Sequence, residues 1–191
     1  AQFPGIQLHI HEAELNEQFA SISQGDIEMG VCRQPAQSPA GWQFQALMAD
    51  EFVVVCNPSH RLAKKSKVTW KELSQETWVL SPIGSAAREK FEALSQQHKF
   101  TPNTCHVITR VSSMTWAMMQ QRPLLTLVPA SVFQQLKNAQ QLTTVNLKEK
   151  IPFDPLGLLL PERDASLATQ SVANFLRDHC QQHHKLKSSR I

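Results

Sequence analysis

Two short stretches combine small hydroxyl side chains with the start of a helical pattern. They are Ser81-Pro82-Ile83-Gly84-Ser85-Ala86 and Val111-Ser112-Ser113-Met114. Each follows a strand-like run. Free backbone N–H groups at a helix start, beside hydroxyls, suit a carboxylate or another anion. The same serines also suit plain helix caps, and the sequence leaves both readings open. In open α/β sheets, ligands sit outside the carboxyl ends of strands. That rule adds Val31 and Cys32, at the end of the run Ile27–Cys32, to the candidate set of Ser81, Gly84, Ser85, Ser112 and Ser113. The ligand expected there is a small anionic or polar metabolite.

Other chemistry finds little support. There is no G-x-S-x-G elbow, Walker loop or G-x-G-x-x-G, and six glycines are few for phosphate-cradling loops. His9 and His11 would share one strand face, but no cysteine or carboxylate stands at a metal-like spacing near them. His106 lies on a different run, and His183-His184 in a polar tail reads as disordered. The chain has no tyrosine, which removes one common acid/base group. The expectation is a binding domain without metal or cofactor, not an enzyme.

Composition fits that class. With 41% hydrophobic and 18% charged residues, the 191-residue chain reads as a globular protein. No apolar run approaches the roughly 20 residues of a membrane helix, so no membrane partner is expected. Ala1-Gln2-Phe3-Pro4-Gly5 shows no basic then apolar leader. The four cysteines, Cys32, Cys56, Cys105 and Cys180, form no C-x-x-C pair, which favours a reduced, cytoplasmic protein. Net charge is +3, with much of the excess in the tail from His183 to Arg190. The other basic run, Arg61 to Lys67, reads as a solvated loop. Nothing in these residues makes the chain a DNA binder by itself.

The elements that must position the serines alternate strand with helix. Ile6–His11 alternates apolar and polar residues, as a half-buried strand does. Glu14–Gln24 carries Leu15, Phe19 and Ile22 at helical spacing, and Gly25 ends it. Further strands are expected at Ile27–Cys32, Phe52–Cys56, Trp78–Leu80, Cys105–Thr109, Leu124–Val128, Leu142–Leu147 and Leu156–Leu160. Helices are expected at Thr69–Leu73, Ala86–Gln97, Met114–Gln121 and Pro129–Leu136, with a last one capped by Asp164. Such alternation argues for parallel sheet with helices on its faces. Turns near Ser81-Pro82 and at 150–155 predict a two-lobed chain. Residues 1–80 with 153–191 would form lobe I, and 81–152 lobe II.

The residues resemble a known family, the effector-binding domains of LysR-type transcriptional regulators. Phe3-Pro4-Gly5-Ile6-Gln7-Leu8 is similar to the family's F/Y-P-x-[IV]-x-L strand start. Ser23 to Val31 resembles its L-x-x-G-x-[LI]-D-x-[GA]-[IV] stretch. Pro58-Ser59-His60-Arg61-Leu62-Ala63, followed by Val68 to Leu73, resembles H-P-L-A…[IV]-x-x-x-[DE]-L and is the most specific block. Gly84-Ser85-Ala86-Ala87-Arg88 resembles G-S-G-T-R, with Ala87 in place of the threonine. Leu127-Val128-Pro129-Ala130 is similar to L-[VL]-P-x, and Arg122-Pro123-Leu124 replaces the family's G-L-G.

The resemblance implies two Rossmann-like lobes of the type II periplasmic-binding-protein kind, with an effector in the cleft between them. It implies that a first strand and helix of lobe I precede Phe3, and that DNA is bound only through an N-terminal helix-turn-helix domain outside this chain. It also implies a homodimer, with a tetramer open for the full-length regulator. The dimer would pair the helix of Leu15, Phe19 and Ile22 with that of Trp116 and Met119. The alternative on those residues is that both helices only cover their own sheets. A transporter's solute-binding protein shares the fold but would need an export signal.

Overall fold

The structure is a computed structural model describing residues 3–13, 15–109, 111–136 and 142–188. The chain divides into two compact units, Ala1–Ala49 with Asp154–Ile191, and Asp50–Phe153. The chain crosses between them at Ala49/Asp50, within the long strand β2 (Trp42–Cys56), and again at Phe153/Asp154.

In the first unit, helix α1 (Leu15–Gln24) leads to strand β1 (Gly30–Arg33). β1 pairs antiparallel with β7 (Ile151–Pro161), and β7 lies beside β2 in the sheet order. Ile22, Cys32 and Leu159 form one small core, with Phe19, Ile27 and Phe44 packed against it. Leu158, Leu160 and Ala173 form another, under helix α6 (Leu167–Ser188). Gly157 lets the two long strands close up. A Cβ there would collide with the Gln45 carbonyl oxygen and the Phe44 ring.

Two expectations fail in this unit. Ile6–His11 is no strand: it forms no ladder, and Ile10 is 91% exposed. Alternation only marks a surface that suits pairing, and no described strand pairs with it. Asp164 does not cap α6 either. It stands at φ 58, and Ser166 takes the role, its Oγ accepting from Thr169 N at 3.1 Å.

The second unit is built on parallel strands. β3 (Thr77–Trp78) is parallel to both β4 (Asn103–Thr104) and β5 (Leu124–Pro129). The order runs β4-β3-β5-β2, with β6 (Thr143–Thr144) also on β2. The expected strands at Cys105–Thr109 and Leu142–Leu147 are thus two-residue pairings at or beside those runs. Helix α3 (Ala86–Gln97) follows β3, and α4 (Ser112–Gln121) follows β4. The single-turn α2 (Trp70–Leu73) precedes β3, and α5 (Ala130–Leu136) follows β5.

Strand alternation assigns the faces. Trp78, Leu80, Leu125 and Leu127 pack with Phe91 and Leu94 of α3. Val79, Leu124 and Val128 pack with Trp116 and Met119 of α4. The two helices therefore cover opposite faces, as in a doubly wound sheet. Trp78 and Phe91, centroids 4.6 Å apart, are almost fully buried. Truncating a phenylalanine of that kind to alanine costs about 3–5 kcal/mol.

Candidate functional site at the carboxyl edge of the parallel strands

From β3 the chain passes to β4 on one side, then returns by α4 to β5 on the other side of β3. This reversal makes β3/β5 a topological switch point, and the crevice outside such strand ends is where open α/β sheets take ligands. The starts of α3, α4 and α5 all lie at that edge.

The three helix starts differ in what already occupies them. At α5, Ser131 N donates to Asp50 Oδ1 at 3.1 Å and Ser131 Oγ donates to Asp50 Oδ2 at 2.6 Å. A carboxylate of the chain itself fills that end. At α3, Ser85 is the N-cap: its hydroxyl donates to the Pro82 carbonyl at 2.7 Å and accepts from Arg88 N at 3.4 Å. Gly84 makes the turn before it at φ 83, a conformation side chains rarely adopt. At α4 the N-cap is Val111, which offers no side-chain acceptor. Met114 N and Thr115 N both go to the Val111 carbonyl. Helix geometry leaves the earlier N–H groups of Ser112 and Ser113 without an intrahelical acceptor. Both serines are exposed.

Of the candidates, the fold places Ser81, Gly84, Ser85, Ser112 and Ser113 along one edge of one unit. The Ser81 side chain is half-buried in the loop after β3. Val31 and Cys32 belong to the other unit. Val31 is 52% exposed on β1, whereas Cys32 is buried against Ile22 and Leu159, and burial raises its thiol pKa. Neither residue lines the cavities of about 260, 450 and 250 Å3 on that unit's surface.

The sequence reading missed the apolar residues at the serine edge. Ile83, Ile108, Val111 and Met114 are all exposed there. Large apolar side chains between polar neighbours in β–α loops are the signal that could have marked them.

The helix residues expected at a dimer contact sit inward. Ile22, Trp116 and Met119 belong to the cores of their units, and Phe19 is half-buried. The Leu15 side chain lies outside the described residues. The outer side of α4 shows Ser113, Met114, Ala117 and Gln120 instead.

The block Pro58 to Ala63 proves to be a locked turn. His60 is buried and its Nδ1 accepts from Leu62 N at 3.2 Å, so the ring proton belongs on Nε2. Nε2 lies 3.4 Å from Glu76 Oε2, and Glu76 also pairs with Arg61. Burial lowers the His60 pKa, outweighing the nearby Glu76 carboxylate. The same burial, helped by Glu76, pushes the Cys56 thiol up to about 11. Neither group is poised for chemistry.

His9, His11 and His106 are exposed, and among the described residues no three His, Cys, Asp or Glu are placed to hold a metal ion. No helix among them is long and apolar enough to cross a membrane. His183-His184 lie where side chains are outside the description.

A family model described as LysR substrate binding domain matches residues 1–181. The chain belongs to the LysR substrate-binding domain family. HTH-type transcriptional regulator GbpR of Azospirillum brasilense is 23% identical over 159 residues, which is 82% of this chain and 46% of that protein. The chain thus spans about half the length of that regulator and less of others it matches, such as CbbR of Rhodospirillum rubrum, at 26% identity over 54% of this chain and 33% of that protein. Among solved structures, the CcmR regulatory domain of Synechocystis PCC6803 in complex with 2-PG has a TM-score of 0.77 at 15% identity, over 94% of this chain and 86% of that one. The LysR family fold is mixed α/β with an open sheet, of the type II periplasmic-binding-protein kind, and this chain has it.

Proposed function

We infer that this chain is the effector-sensing domain of a LysR-type DNA-binding transcriptional regulator. It binds a small anionic or polar metabolite, and sequence-specific DNA recognition belongs to another part of the regulator. It needs no cofactor, works in the cytoplasm and is not an enzyme. The support is the α4 start: exposed Ser112 and Ser113, with N–H groups left open at a switch-point edge, while α5 is already filled by Asp50. Solved relatives carry small molecules, 2-PG on CcmR and shikimate on the QuiR effector binding domain. Exposed Ile83, Ile108, Val111 and Met114 at the same edge favour a ligand with some apolar surface.

Two copies associate as a homodimer through α1 and α4 in this reading. Because Trp116 and Met119 are core, the outer side of α4 past its first turn, at Ala117 and Gln120, makes the contact.

Calorimetric titration of the chain with a panel of small carboxylates tests the reading. Saturable one-site binding of at least one is expected, weakened in the double variant Ser112→Ala/Ser113→Ala, which removes both hydroxyls and leaves the backbone N–H groups. Binding that the double variant retains in full would move the site elsewhere.

A further inference from the structure

Besides the tail, the sequence shows a basic run from Arg61 to Lys67 inside a loop. The fold sets a second run beside it. Val68 N donates to the Asn146 carbonyl at 2.9 Å, Lys148 N to the Val68 carbonyl at 3.3 Å, and Asn146 Nδ2 to the Ser66 carbonyl at 2.6 Å. Val68 and Leu147 form a parallel bridge. These bonds hold Lys64, Lys65 and Lys67 next to Lys148 and Lys150, with Lys71 on the adjoining α2, and all six are exposed.

The acids nearby are already engaged. Glu72 accepts from Lys65 Nζ at 2.7 Å and from Thr69 N at 2.9 Å. Glu149 Oε1 accepts from Trp70 Nε1 at 2.9 Å and lies 3.3 Å from His98 Nε2. Glu76 is tied to Arg61 and His60. Among the described residues, Lys64, Lys67, Lys71, Lys148 and Lys150 have no carboxylate partner. Those five charges exceed the whole chain's net charge of +3, so the remainder of the protein is net acidic.

We propose that this lysine surface on the second unit contacts the phosphate backbone of duplex DNA without reading its sequence. Lysines without partners are mobile point charges, suited to phosphates and poor at the bidentate geometry of base recognition. Neutralising phosphates releases condensed counterions, so five such contacts give binding that falls steeply with salt. The inference goes beyond the effector reading and stands apart from it, because the lysines and the α4 start fail in different variants.

The test titrates the 191-residue chain against two unrelated 20-base-pair duplexes across a salt series. Weak binding of equal strength to both is expected, with a log–log salt slope of about −4.5 from roughly −0.9 per phosphate neutralised. Lys64→Gln/Lys67→Gln and Lys148→Gln/Lys150→Gln should each lower the slope by about 2. The quadruple variant should bind at least ~10-fold more weakly in low salt, with an unchanged melting midpoint, since none of these side chains carries a structural bond. Arg122→Gln/Arg163→Gln, exposed residues outside the two runs, should bind as the wild type does. Absence of duplex binding in low salt, a slope the quadruple variant leaves unchanged, or tighter binding of polyglutamate than of DNA would overturn the proposal.

Discussion

Asp50 grips Ser131 with both carboxylate oxygens, Oδ1 on the backbone N–H and Oδ2 on the hydroxyl, at 3.1 and 2.6 Å. Asp50 lies on β2, and Ser131 opens α5, so a strand residue 81 positions away in sequence caps the helix. The bond has two consequences. It ties β2 to α5, and it removes one of three helix starts from competition for an anionic ligand.

Asp50→Ala should therefore cost about 1–2 kcal/mol of stability, the usual loss on removing a capping oxygen. Urea unfolding measures it. A variant as stable as the wild type would mean that the contact does not survive in solution.

His60 should make stability depend on pH near neutrality. Its folded pKa is lowered by burial, so the unfolded chain takes up a proton first. Stability is highest above the unfolded histidine value of roughly 6.5 and falls as pH drops below it towards the folded value. The slope of stability between pH 7 and 5 should be shallower in His60→Asn, whose amide oxygen can still accept from Leu62 N. Equal slopes in the two proteins would place the acid sensitivity in other groups.

The contrast between readable and unreadable segments has physical causes. The helix Ala86–Gln97 lies where its apolar spacing and the Ser85 cap put it. Phe52–Cys56 and Leu124–Val128 are strands because β-branched and apolar runs of that length can be buried on both faces. Ile6–His11 misled because its alternation reports a face fit for pairing, and pairing needs a neighbour the described residues do not supply. The first half of β2 was silent because Trp42 to Glu51 interleaves polar residues with apolar ones on a half-exposed course. At the site, the serines were visible as residue types. Which hydroxyl is already committed was not, because the Ser85 and Ser131 partners are backbone and distant groups that only folding brings together.

Dimerisation should follow the exposed side of α4. Ala117 is exposed, whereas Trp116 is 6% exposed within the core. Ala117→Glu should shift the sedimenting species from dimer to monomer with little change in melting midpoint. Trp116→Glu should unfold its unit, since a buried unpaired carboxylate replaces a large apolar side chain. A wild-type monomer at high micromolar concentration contradicts the dimer, and a dimeric Ala117→Glu protein moves the interface off α4.

The most direct test of the effector site is an amide-resolved NMR titration with a small carboxylate that binds. The largest shift changes are expected at the N–H groups of Ser112 and Ser113, smaller ones at Ser81 and Gly84, and none at Ser131, whose N–H already faces Asp50. Ser85→Ala should lower the melting midpoint through loss of its cap while leaving those shifts in place. Saturating shifts confined to other regions, with Ser112 and Ser113 unmoved, would contradict this placement of the site.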